Sequence, residues 1–151
     1  MALTTFGAIM GFAAEMAGKG EEVYKVLAQK AKDPTLRDAL QALSKEEGKS
    51  HNLMIKARRE NVTEMILEPV TGLNQEDYEI DVNVSDRMED TDLLKVALRL
   101  EERGKKFFRD GSSKVPIPEV ARIFRRIAQK KEDDLTKLQG LGLNRTLGNG
   151  P

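Results

Sequence analysis

Apolar residues recur along most of this chain at intervals of three and four, the spacing that gathers them on one face of a helix rather than alternating them across a strand. The same pattern is written twice. Shifted by 84 positions, the sequence pairs Ile9 with Leu93, Met10 with Leu94, Ala13 with Ala97, Met16 with Leu100, Val23 with Phe107 and Tyr24 with Phe108. Gly20 pairs with Gly104 and Pro34 with Pro118. Beyond the prolines the register continues without a gap through Leu36 and Val120, Leu40 and Phe124, Leu43 and Ile127, and Met54 and Leu138. A long internal register of this kind marks a duplicated supersecondary unit.

Each half then reads as a helix, a short break and a second helix, and the pattern predicts helices near 4–31, 35–65, 91–109 and 119–139. Both prolines suit a first helical turn, where their missing N–H has no partner to lose, and Asp33 before Pro34 is a good N-cap. The stretch Asp110 to Pro118, with a glycine, two serines and two prolines, predicts a loop. From Glu68 to Asp90 no amphipathic period is visible. That length is long for a bundle turn and suits a crossover running along the bundle, which would place the third helix as the first is placed, about a pseudo-twofold. Gly20 and Gly104 each cost roughly 1 kcal/mol against alanine inside a helix, so both predict a close approach of a neighbouring helix.

After Leu138 the glycines at 140, 142, 148 and 150 predict the end of the helix, which divides the chain into a bundle over 1–139 and a flexible tail over 140–151. Its leucines suit a subunit-swapping arm or a disordered end. The apolar start from Ala2 to Ala14 has no basic segment before it and is interrupted by Glu15 and Lys19, which predicts a buried helix start rather than a leader or membrane span.

Composition narrows the chemistry. There are 151 residues, 25 basic and 25 acidic, so no net field favours a nucleic acid or an anionic membrane, and neither is expected as a partner. The basic run Arg122, Arg125, Arg126 and Lys130 lacks interleaved aromatics and reads as a solvated helix face. With no cysteine and a cytoplasmic location expected, disulfides, thiolate metal sites and thiol catalysis are excluded; the single histidine, His51, excludes any site needing two imidazoles.

Two features together carry a family resemblance: glycine three residues before Val23-Tyr24 and again before Phe107-Phe108, and Leu40-x-x-Leu43-Ser44-x-x-Glu47 matched in register by Phe124-x-x-Ile127-Ala128-x-x-Lys131. The chain resembles the rubrerythrin-like branch of the ferritin-like superfamily up to about Leu138. The resemblance implies an all-α, ferritin-like four-helix bundle of two repeated hairpins joined by a long crossover. It also implies a di-iron centre built from one Glu on each of two helices and Glu-x-x-His on each of the other two. Matched position by position, those ligands fall on Ala17, on Glu47 and Ser50, on Glu101, and on Lys131 and Asp134. Only Glu47 and Glu101 keep the ligand type, with Asp134 a third oxygen donor. Glu15, about 200° around the helix from Ala17, faces away. His51, about 100° from the Ser50 face, reaches the edge of the site only if a π-bulge forms near Gly48, and is otherwise a rim or subunit-contact residue.

An ammonium at Lys131 would repel two cations and pair with carboxylates instead, so the expected centre is a buried charge network of Glu47, Glu101, Lys131 and Asp134 without a cofactor. If Lys131 turns to solvent with Lys130, the remaining Glu47, Glu101 and Asp134 form a pocket for iron or another hard divalent cation. The first case implies a homo-oligomer, a dimer or larger, acting as a non-catalytic structural or interaction protein. The second implies a metal-dependent oxidoreductase acting on peroxide, oxygen or ferrous iron.

Overall fold

A computed structural model describes residues 1–61 and 69–149, with side chains through Gly142. Four long helices carry it: α1 (Phe6–Lys30), α2 (Pro34–Glu60), α3 (Asp90–Ser112) and α4 (Pro118–Asn149). Among the described residues there is no β-strand, only an isolated bridge between Ala2 and Asn74. The part of the second predicted helix beyond Asn61, including Met65, lies outside the described residues.

Local chemistry explains where the helices begin. The Thr5 hydroxyl accepts from the Ala8 N–H at 3.0 Å, and the Asp33 carboxylate accepts from Leu36 at 2.9 Å, with Pro34 opening α2 as expected. Asp90, first residue of α3, accepts from the backbone N–H groups of Lys32 and Asp33, each at 2.9 Å, and so fastens the α1–α2 turn to the start of the second hairpin.

Two helix ends lie further along than the pattern predicts. The third helix runs through Asp110 and Gly111 to Ser112, because the Phe124 ring packs where a Gly111 side chain would stand: a Cβ there would lie 2.8 Å from the ring. The fourth does not stop at 139 but runs through Gly140 and Gly142 to Asn149. Leu138 is buried among the starts of α2 and α3, Leu141 packs against the same cluster, and Gly142 approaches Leu94 closely. Tertiary packing of these residues outweighs a glycine penalty of about 1 kcal/mol each.

The core is split in two. One apolar cluster joins the start of α1 (Ile9, Met10, Ala13) to Met54 and Ala57 of α2 and to Phe107, Phe108 and Phe124. The other joins Tyr24 and Leu27 to Leu36, Leu40, Leu93, Leu100 and Leu138. Each helix therefore packs antiparallel to the one it follows in its hairpin. The segment between the hairpins crosses from one cluster to the other: Val70, Leu73 and Tyr78 are buried in the first, and Ile80, Val82 and Val84 pack against the second. It runs the length of the bundle, as its length suggested. Between the two clusters lie the buried charged residues among those described, Glu47, Glu101, Lys131 and Asp134. No helix among the described residues is long and apolar enough to cross a membrane.

Candidate functional site

The charged layer is built from all four helices. Lys131, on α4 and only 3% exposed, points into the bundle and donates to Glu47 Oε1 of α2 at 2.6 Å and to Glu101 Oε2 of α3 at 3.2 Å. The orientation in which Lys131 turns to solvent is thereby overturned; Lys130, half exposed, is the lysine that stays at the rim. From α1, the Tyr24 hydroxyl donates to the same Glu101 oxygen at 2.8 Å and lies 3.4 Å from the Ala97 carbonyl.

Glycines make room for these side chains. A Cβ at Gly104 would lie 2.6 Å from Lys131 Cε, and one at Gly20 would lie 3.3 Å from Glu47 Cδ. What approaches each of the paired glycines is the charged side chain of the neighbouring helix in its own hairpin, so the two positions matched by the repeat serve the two ends of one ion pair.

A second group lies on the other side of Glu101. Glu46 of α2, Glu101 and Asp134 of α4 each present a carboxylate oxygen, all within 4.8 Å of one another. Asp134 engages Lys130 at 2.9 Å rather than Lys131, and Lys130 also stands 3.7 Å from Glu46. Sequence counting named Glu47 and did not name Glu46. Glu47 is held by Lys131, whereas Glu46, one residue earlier and about 100° around the helix, joins the carboxylate triad. A usable signal was present in the register, which matches Glu46 to Lys130 just as it matches Glu47 to Lys131.

The electrostatics follow from burial. Glu101 is fully buried, and desolvation, partly offset by Lys131, raises its pKa to about 7. Burial and the hydrogen bond and charge of Asp134 push Glu46 up to about 8. For Asp134, burial acts upward but hydrogen bonds with Glu46 and Lys130 prevail and lower its pKa. Burial also opposes the Lys131 charge, yet Glu47 and Glu101 more than compensate and hold the ammonium protonated above its ordinary range. The Tyr24 hydroxyl is raised by burial and by the neighbouring carboxylates. Arg103 adds a half-buried guanidinium near Glu47 and Glu101, its charge disfavoured by burial.

The remaining predicted positions stand apart from these carboxylates. Ala17 is buried and offers no donor, and Ser50 is half-buried and makes no ligand contact with the triad. His51 is not at the edge of the site. Its Nδ1 lies 2.7 Å from the Ala14 carbonyl, its ring packs over Gly18, and α2 is regular through Gly48 with no π-bulge to turn it inward.

Chemically, the layer offers one buried ammonium held between two carboxylates and one carboxylate triad whose Glu46 reaches the surface. Comparison with family models, curated proteins and solved structures finds no match to this chain.

Proposed function

We propose that this chain is a rubrerythrin-like, ferritin-like bundle in which the Lys131 ammonium has taken the place of the di-iron centre, and that it works as a non-catalytic structural or interaction protein. One observation carries the reading: the Lys131 Nζ sits between Glu47 and Glu101, the two residues that keep the iron-ligand type, at 2.6 and 3.2 Å. A cation already fills that space, and the adjacent carboxylates keep it charged against the cost of burial. The proposal includes a cytoplasmic homo-oligomer, a dimer or larger.

A second reading, a metal-dependent oxidoreductase acting on peroxide, oxygen or ferrous iron, draws on the Glu46, Glu101 and Asp134 oxygens. Metal analysis of protein from iron-supplemented cells separates the two. The proposal expects no di-iron and no peroxide turnover; about two irons per chain with turnover would sink it. The variant carrying Lys131→Glu, Ser50→His and Asp134→His should gain iron that the parent lacks.

A further inference from the structure

Two oxygens in the charged layer meet no cationic or backbone donor among the described residues. Glu101 Oε1 and Asp134 Oδ2 are both buried, and what faces them is the other carboxylates of the triad. Glu101 is 0% exposed and Asp134 5%. Its other oxygen, Oε2, already accepts from both Tyr24 and Lys131. An unsatisfied buried carboxylate oxygen is costly, and a cation or a shared proton between the two groups relieves that cost.

Charge gives the same direction. With all four carboxylates ionised, Glu46, Glu47, Glu101 and Asp134 face Lys130, Lys131 and Arg103 with one negative charge in excess. The lysines do not cancel it where it lies. Lys131 is on the Glu47 side, and Lys130 reaches Asp134 through Oδ1, leaving Oδ2 facing the triad.

Geometry supplies the rest. The three oxygens lie within 4.8 Å of one another, about twice a calcium–oxygen bond of roughly 2.3–2.6 Å, so one ion can touch all three. Every donor is a carboxylate oxygen, the preference of hard divalent cations. A cleft of about 130 Å³ between α2 and α4, walled by Ala39, Leu43, Glu46, Lys130 and Asp134, gives a route from the surface and space for the water such ions retain.

We propose that Glu46, Glu101 and Asp134 hold one hard divalent cation, beside the Lys131 ammonium and without Glu47. This site rests on the reading that Lys131 occupies the bundle centre. It differs from the ligand set of the resembled family in needing Glu46, which matches none of that family's ligand positions, and in not using Glu47. The cation ties α2, α3 and α4 together at mid-height and has no redox role.

Binding of Mn²⁺ to the full chain, stripped with a chelator and followed by the loss of the free-ion electron paramagnetic resonance signal, tests the site. The expected result is saturation at about one Mn²⁺ per chain, reversed by Ca²⁺. Glu46→Gln should weaken binding at least about tenfold, while Glu47→Gln leaves the stoichiometry at one. Lys130→Gln, which removes a competing charge at the exposed rim, should tighten binding several-fold and does not depend on the folding of the Glu46 variant. Absence of saturable binding in both the parent and Lys130→Gln would overturn the site, the gap then being filled by a shared proton. Binding at about two ions per chain that disappears with Glu47→Gln would overturn both the site and the reading of Lys131 on which it rests. Loss of the single-ion site with an empty di-iron assay would overturn the site alone.

Discussion

Lys131 meets Glu47, 84 residues earlier, at 2.6 Å, and the adjacent Lys130 stands 3.7 Å from Glu46, also 84 residues away. Two consecutive positions of one helix thus face their own counterparts in the other half of the chain, with opposite charge. A symmetric arrangement would place glutamate against glutamate, or lysine against lysine, in a dry interior. Opposite charges turn a repulsive contact into an attractive one without any bound ion between Lys131 and Glu47.

Removing the ammonium should therefore be expensive. Lys131→Met leaves Glu47 and Glu101 facing each other without a counter-charge, and a loss of about 3–5 kcal/mol in unfolding free energy at neutral pH is expected from urea titration. The loss should shrink near pH 5, where Glu101 is already protonated. An equal loss at both pH values would rule out charge as the cause.

The two matched glycines should respond differently to alanine. Gly104→Ala places a methyl 2.6 Å from the buried, ion-paired Lys131 side chain, and a net destabilisation of about 1–2 kcal/mol is expected after the helix-propensity gain is counted. Gly20→Ala meets Glu47 at 3.3 Å, and Glu47 keeps some exposure with which to give way, so its change should lie within about 0.5 kcal/mol. Thermal melts of the two variants side by side make the comparison.

Stability should fall from mildly acidic to mildly alkaline pH in metal-free protein. Glu101 and Glu46 titrate near 7 and 8 in the folded chain against 4.5 ordinarily, so the folded state binds more protons over that interval. Their contribution is complete below about 4.5 and is lost as pH rises through 7 and 8. Urea midpoints measured from pH 5.5 to 8.5 should decline, and Glu46→Gln should flatten the upper part of the decline; a midpoint independent of pH would contradict the assignment.

Tyr24→Phe removes one of the two donors to Glu101 Oε2 while keeping the ring that fills the second apolar cluster. A cost of about 1–2 kcal/mol is expected, because the carboxylate oxygen stays buried with only Lys131 beside it. A cavity-scale loss well above that would point to the ring rather than the hydroxyl.

The helices were legible because their apolar residues repeat at one period and their caps, Asp33 with Pro34 above all, are local. The ends at Ser112 and Asn149 were not. Gly111, Gly140 and Gly142 argue locally for a stop, and only packing between helices, of Phe124 on Gly111, of Leu94 on Gly142 and of Leu138 in the second cluster, argues against it. At the site, counting along one helix face found the inward positions Glu47, Glu101, Lys131 and Asp134. It could not find Glu46, whose place beside Glu101 and Asp134 depends on how α2 and α4 lean together, a relation between helices that no single-helix period contains. His51 was undecided in sequence for the same reason; the Ala14 carbonyl that engages it belongs to another helix.

The charged layer between the two apolar clusters also acts as a vertical ruler. Leucine packs against leucine at many heights, so the Leu-rich half below and the Phe-rich half above would tolerate sliding of one hairpin along the other. A slip of one helical turn, about 5.4 Å, would strand Lys131 among hydrocarbon and leave Glu101 with no cation. Only one axial alignment avoids that, and a chain made of two similar halves, which could otherwise settle into several near-equivalent stacks, is left with a single one.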